Sequence, residues 1–236
     1  LVEPLIQRGK VYAYNTPEYV KDAGTPDRFA LVCKEQLDGI WEAKCLKNRQ
    51  KAVFLDRDGT INMHKGFLNS VDDFELITGA AEGIKELNQS LYLAIVATNQ
   101  PVIARGECTL KQLDHIHQKM ETELGKEGAF LNDIFFCPHH PHKGYEGEVV
   151  EFKIDCNCRK PKIGMLLMAA DKYNIDLSQS WYVGDTTMDI KTGINAGMRT
   201  VLVKTGEAGK DGKYDVKPTA IKENLLEAIR YILKNE

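Results

Sequence analysis

Five short strand-like segments, at 52–55, 91–97, 131–136, 181–183 and 200–203, punctuate the chain from residue 51 onward. Those at 52–55 and 91–97 are apolar on consecutive positions, the mark of a strand covered on both faces. Helical spacing fills the gaps. Residues 79–90 carry apolar side chains at 80, 81, 84 and 87. Residues 109–124 open on a Thr in N-cap position, and 161–173 open on Pro with apolar positions at 163, 166, 167 and 170. Helices are also expected over 186–196 and over 220–234, the latter amphipathic. Strands alternating with helices predict an α/β fold with a doubly wound, mostly parallel sheet. Ligands of such sheets lie beyond the carboxyl ends of the strands. Three run ends carry polar chemistry there: Asp56-Arg-Asp58-Gly-Thr60, Thr98-Asn-Gln100 and Gly184-Asp185.

Asp56 and Asp58 stand two residues apart, so on an extended segment they face the same way. Two such carboxylates repel unless a cation or proton intervenes. Asp185 brings a third carboxylate to the same sheet edge. An all-oxygen set of this kind suits Mg²⁺, and Gly59 permits a tight turn of backbone beside it. An Asp-Gly turn with no ligand is the plain alternative for 56–59 taken alone. The apolar run before it and the matching strand–Gly–Asp at 181–185 weigh against that.

Composition narrows the partners. With 31 Lys and Arg against 34 Asp and Glu, the net charge of −3 offers no basic face for nucleic acid. No apolar run approaches the ~18 residues of a membrane span, and no basic segment with an apolar stretch opens the chain. Leu1, in place of Met, points to a fragment or a processed product. Cys33, Cys45 and Cys108 are scattered. Cys137, Cys156 and Cys158 cluster with histidines, which suggests a metal site in a reducing cytoplasm rather than a disulfide framework. Residues 1–48 differ from the rest of the chain, with short apolar pieces, a turn-rich segment and a basic end; about fifty residues bury only a marginal core. They are expected to form an appendage and linker before a domain at 49–236.

Phe54-Leu-Asp56-Arg-Asp58-Gly-Thr60 resembles motif I of the haloacid dehalogenase superfamily of phosphatases. Val96-Ala-Thr98-Asn99 resembles motif II, Arg159-Lys160-Pro161 motif III, and Gly184-Asp185-Thr-Thr-Met-Asp189 motif IV. The four occur in the family's order. The resemblance implies that Asp56 is the nucleophile that forms an aspartyl-phosphate. It implies that Asp58 protonates the leaving group and then activates water. Thr98, Asn99 and Lys160 would stabilise charge on the phosphoryl oxygens. Mg²⁺ would be held by the Asp56 and Asp185 carboxylates and the Asp58 backbone carbonyl, with Asp189 behind them.

Cys137-Pro-His139-His140-Pro-His142 and Cys156-Asn-Cys158 form two short-spaced pairs, a Zn²⁺ signature with three thiolates and one imidazole. His140 and His142 compete with His139 as the fourth ligand. The tighter Cys-x-His pairing and the family match favour Cys137, His139, Cys156 and Cys158, a closed structural site. A loop of this form, ending in Cys158-Arg-Lys-Pro161, resembles the branch that holds heptose bisphosphate phosphatases and histidinol-phosphatases. That branch lacks a large cap domain, and the about forty residues between motifs I and II leave no room for one. The branch match implies substrate contacts from His64, Lys65, Gly66, Phe67, Asn99, Arg105 and Arg159; an Arg fork suits a second, non-reacting phosphate. Thr186 and Pro101-Val102 depart from the heptose enzymes, which often carry Lys and Ser-Gly there.

Finally, Asp22-Ala-Gly-Thr-Pro26 resembles a segment near the end of sugar-phosphate nucleotidyltransferases. A 7-phosphatase acting on a heptose 1,7-bisphosphate leaves the sugar 1-phosphate such an enzyme consumes. The expected function is therefore Mg²⁺-dependent removal of that 7-phosphate, with a nucleotidyltransferase fused upstream. The alternatives are a histidinol-phosphatase, a non-catalytic domain that keeps the fold, and a phosphatase of nucleic-acid ends. Intact Asp56, Asp58, Lys160 and Asp185 argue against the second of these, and the missing basic groove against the third.

Overall fold

The computed structural model describes residues 3–12, 16–144 and 146–235. Three helices come first: α1 (Glu3–Gln7), α2 (Pro26–Leu37) and α3 (Ile40–Ala43). The strands and α-helices that follow are β1 (Lys51–Leu55), α4 (Ala80–Asn88), β2 (Tyr92–Asn99), α5 (Leu110–Lys126), β3 (Asp133–Cys137), α6 (Gly164–Tyr173), β4 (Trp181–Gly184), α7 (Thr187–Asn195), β5 (Arg199–Val203), β6 (Ala220–Lys222) and α8 (Leu225–Lys234). Among the described residues, no helix is long and apolar enough to cross a membrane.

The six strands form one sheet in the order β3-β2-β1-β4-β5-β6, every pair parallel. Alternation along each strand sorts the core into two layers. Val53, Leu55, Ala94, Val96, Trp181 and Val183 pack with Ile84, Leu87, Ile116, Met120 and Ile229. Ala52, Phe54, Leu93, Ile95 and Tyr182 pack on the other face with Met165, Leu166, Ala169 and Tyr173. The continuous apolar runs follow from this: both faces of the central strands are buried. The chain winds from β1 out to β3, then returns to β4 on the other side of β1. The β1–β4 boundary is thus where strand order reverses, and Asp56 and Asp185 emerge there side by side; Asp56 N donates to Val183 O at 2.9 Å.

Two sequence expectations are corrected. Residues 220–234 are not one helix. Ala220–Lys222 pair with β5, and Asn224 caps α8 by accepting from Glu227 N at 3.0 Å, so the helix starts at Leu225. Pro161 does not open a helix either. Residues 159–162 turn, with Lys162 N donating to Arg159 O, and α6 begins at Gly164, where a Cβ would lie 2.4 Å from Asn157 O. The capping expectation for 109–124 holds: Thr109 and Gln112 form a reciprocal capping box.

Of residues 1–48, positions 1, 2 and 13–15 lie outside the described set. The segment Asp22–Pro26 builds the start of α2. Thr25 accepts from Arg28 N, and Asp22 accepts from Gly24 N and pairs with Arg28. Asn174 fastens the end of the segment to the sheet domain by donating to Leu46 O and Asn48 O at 2.8 and 3.0 Å.

Candidate active site

The cleft at the carboxyl ends of β1, β2 and β4 is lined by four carboxylates, Asp56, Asp58, Asp185 and Asp189, and by Arg105, Arg159, Lys160 and Lys213. Carboxylate oxygens of Asp56, Asp185 and Asp189 converge, all within 4.8 Å of one another. Lys160 Nζ lies 2.8 Å from Asp56 Oδ1 and 2.6 Å from Asp189 Oδ1. Asn99 fixes this lysine's backbone: its Oδ1 accepts from Lys160 N at 3.0 Å, and its Nδ2 donates to Lys160 O at 3.3 Å. Asn99 lines the cleft, but its amide is spent on placing Lys160.

Asp58 does not join the converging group. Extended geometry would have aimed it beside Asp56. Residues 57–62 instead curl back, with Thr60, Ile61 and Asn62 all donating to Arg57 O. The Asp58 carboxylate is gripped by Arg57 and accepts from Asn62 Nδ2 at 3.0 Å and Gln100 Nε2 at 2.9 Å. Gln100 Nε2 also donates to Thr98 Oγ1 at 3.0 Å, so one amide ties Thr98 to Asp58.

The electrostatics separate the carboxyls. Burial, with repulsion from Asp189, pushes Asp56 up to about 6 against the pull of Lys160. Burial and the charges of Asp189 and Asp56 push Asp185 up to about 8. For Asp58 burial acts in the same direction. The charge of Arg57 and the hydrogen bonds from Asn62 and Gln100 overcome it and hold the carboxyl below its usual range. Burial would lower the Lys160 ammonium, yet Asp189 and Asp56 hold it well above the ordinary lysine value.

Asp185 Oδ1 is buried with no hydrogen bond, and Asp56 Oδ1 is buried with none beyond its ionic contact with Lys160. Leaving two such oxygens close together is costly unless a cation meets them. Hard anionic oxygens are the donors Mg²⁺ takes, so the residues present fit that ion. The backbone crowds in to complete the pocket. Glu207 N donates to Asp185 Oδ2 at 2.7 Å, and a Cβ on Gly59 or Gly206 would meet that oxygen at 2.3 or 2.2 Å. Both glycines also take positive φ.

The thiols of Cys137, Cys156 and Cys158 lie 3.1 to 3.5 Å apart, and His139 Nδ1 is 3.4 Å from Cys158 Sγ. All four ligand atoms lie within 4.8 Å of one another, the compactness of a tetrahedral site. His140 and His142 stay outside this group. The loop bears on the cleft at several points: His140 lines it, Arg159 donates to His139 O at 3.0 Å, Gln100 N donates to Cys137 O at 2.8 Å, and Val149 N donates to Ala104 O beside Arg105.

His64, Gly66, Phe67, Arg105 and Arg159 line the cleft, with the Arg105 guanidinium 3.9 Å from the Phe67 ring centroid. Lys65 is not brought in; it pairs with Glu75 at 3.0 Å on the surface. Thr186, which stands where the heptose enzymes often carry Lys, caps α7: it accepts from Asp189 N, and its own N donates to Asp189 Oδ2. Sequence reasoning gave no role to Arg57 and Gln100, though both stand in the polar segments it marked, and it missed His117 and Lys213. His117 lies behind Arg57, its Nε2 3.4 Å from Arg57 Nη1, and burial pushes it down to about 3, so it is neutral. The two acidic neighbours of Arg57 were the signal available for it; nothing local marked His117 or Lys213.

A HAD-hydrolase-like family model matches residues 157–228. The D-glycero-beta-D-manno-heptose-1,7-bisphosphate 7-phosphatase of Escherichia coli (strain K12) is 42% identical over 157 residues, 66% of this chain and 80% of that protein. The protein of the same name from Haemophilus ducreyi is 38% identical over 185 residues, 78% of this chain and 98% of that one. The crystal structure of D,D-heptose 1,7-bisphosphate phosphatase from B. bronchiseptica, complexed with magnesium and phosphate, is similar with a TM-score of 0.69 and 32% identity. The match covers 79% of this chain and 100% of that one.

Proposed function

This chain belongs to the haloacid dehalogenase-like family of phosphatases, and we propose that it removes the 7-phosphate of D-glycero-D-manno-heptose 1,7-bisphosphate. The observation that carries the reading is the pairing of two buried carboxylate oxygens without hydrogen bonds, on Asp56 and Asp185, with a buried lysine at the floor of a cleft rimmed by two arginines.

Asp56 attacks phosphorus, forming a carboxylate–phosphorus bond as the bond to the sugar oxygen breaks. Asp58 gives its proton to that oxygen. Arg57 keeps Asp58 ionised in the free protein, and the approach of an anionic phosphate raises it towards the protonated form. Asp58 then takes a proton from water as the water oxygen displaces Asp56 and frees inorganic phosphate. Lys160 and Thr98 stabilise charge on the transferring oxygens, with Lys160 held in place by Asn99 and Asp189. Mg²⁺, held by the Asp56 and Asp185 carboxylates with the Asp58 backbone carbonyl, would neutralise charge between nucleophile and phosphate.

Zn²⁺ at Cys137, His139, Cys156 and Cys158 is structural in this reading, since four protein donors leave no open position. Bound there, it would help to hold Arg159 and the Arg105 loop at the mouth, where a second phosphate meets two guanidinium forks. Residues 1–48 form a unit separate from the phosphatase domain at 49–236 and stem from a sugar nucleotidyltransferase. The heptose 1-phosphate left by the reaction is the kind of substrate such an enzyme takes.

Phosphate release from the heptose bisphosphate, compared with release from histidinol phosphate, tests the substrate. A higher kcat/KM for the heptose supports the assignment; faster turnover of histidinol phosphate overturns it.

A further inference from the structure

The floor and the rim of the cleft differ in how their cations are used. Lys160, on the floor, is buried and committed to Asp56 and Asp189. Lys213 lines the same cleft but is exposed, and among the described residues no carboxylate pairs with it. It belongs to the loop between β5 and β6, and that loop is latched to the start of α7. Asp211 accepts from Thr187 N at 2.6 Å and from Thr187 Oγ1 at 2.7 Å, and Tyr214 N donates to the same hydroxyl at 3.1 Å. Gly209 N donates to Asp185 O at 2.7 Å, and Glu207 N to Asp185 Oδ2 at the same distance. These fastenings place Lys213 within a few residues of anchors on either side, beside the catalytic carboxylates.

A connection to an edge strand needs no such latching. Holding a lysine at this rim has a use, because four carboxylates line the cleft that a phosphorylated substrate must enter. Thr186 and Thr187 cannot offer their own side chains there, since both are spent on the α7 cap and the latch. We infer that Lys213 is a substrate-positioning residue that holds the non-reacting phosphate of the bisphosphate, from the α7 side of the mouth. The reacting phosphate lies deep, at Asp56; an exposed rim ammonium meets the part of the substrate that stands farther out. The inference rests on the proposed bisphosphate substrate.

The test compares the wild type, Lys213→Ala, Lys213→Arg and Asp211→Asn with heptose 1,7-bisphosphate and with heptose 7-phosphate, which lacks the second phosphate. Loss of a charge-assisted contact at an exposed site predicts a KM for the bisphosphate raised about tenfold in Lys213→Ala, with kcat within about twofold. KM for the monophosphate stays at the wild-type value. Lys213→Arg recovers most of the loss, and Asp211→Asn, which weakens the latch by removing its charged acceptor, shows part of it. An unchanged KM in Lys213→Ala, or an equal rise with both substrates, overturns the inference while leaving the phosphatase assignment standing. A wild type that turns over neither sugar phosphate removes the substrate reading and this inference together.

Discussion

Arg57 holds Asp58 by both oxygens: Nη2 lies 2.9 Å from Oδ1 and 2.8 Å from Oδ2, with Nε 3.2 Å from Oδ1. The guanidinium is fully buried, and neutral His117 stands behind it. Replacing Arg57 with Met leaves Asp58 without its principal partner. Breaking this ion pair costs less than the roughly 3–5 kcal/mol of a fully buried one, since Asp58 is part-exposed and keeps its bonds from Asn62 and Gln100. Misplacing a general acid–base lowers kcat by about a hundredfold or more. Asp58 also loses the charge that depresses it, so the alkaline limb of the kcat/KM profile, where Asp58 loses the proton it must give, moves to higher pH. Urea denaturation with steady-state kinetics across pH checks all of these; an unmoved alkaline limb refutes the pairing's role.

Asp56 and Asp185 are pushed up to about 6 and about 8 when no cation meets them. A carboxyl raised in the folded state binds its proton more tightly there than in the unfolded chain. Its penalty is absent below the unfolded value and grows as pH rises towards the folded one. The metal-free protein is therefore expected to lose stability between about pH 4 and about pH 8 from these two groups. Mg²⁺ should reverse the loss, bind more tightly as pH rises through that window, and release protons on binding. Thermal melts with and without Mg²⁺, and calorimetry in buffers of different ionisation enthalpy, measure both effects.

Much of the fold and the site was legible from the chain. Runs of apolar residues with no alternation announced strands covered on both faces, and the acidic ends of two of them marked the site. What stayed hidden depended on backbone direction and on distance. Period-two reasoning aimed Asp58 beside Asp56, because a tight turn beginning at Arg57 cannot be told from an extended run by spacing alone. Ala220-Ile-Lys222 reads as the first turn of an amphipathic helix until β5 offers it a ladder. His117 and Lys213 are remote from Asp56 and Arg57 along the chain yet close to this end of the sheet in space, and no local pattern marks either.

Gly206 packs its Cα against the metal-facing carboxylate. A methyl group there would lie 2.2 Å from Asp185 Oδ2 and 2.7 Å from Gly59 Cα, at a φ of 59°. Gly206→Ala is expected to displace Asp185 and weaken Mg²⁺ affinity by about tenfold or more, with the Cys–His loop unaffected. Titration of Mg²⁺ against activity, with thiol and metal content as the control, checks this.

The Cys–His cluster bears on the mouth through Arg159 and the 101–108 loop, and it borders the floor where Gln100 N donates to Cys137 O at 2.8 Å. Cys156→Ser, or removal of the metal by a chelator, should raise KM for the bisphosphate more than it lowers kcat. Stability should also fall, since a structural metal contributes folding free energy. Metal analysis alongside kinetics decides it. A wild-type KM in a metal-depleted protein removes the loop from substrate binding.

Asp56 carries the phosphoryl group in the proposed reaction, and everything else at the site serves that transfer. Rapid acid quench of the enzyme during turnover, followed by peptide mass analysis, reads this directly. The expected result is the mass of one phosphoryl group on the peptide holding Asp56, absent in a folded, inactive Asp56→Asn variant. Undiminished turnover by that variant, with no adduct on the wild type, would contradict it.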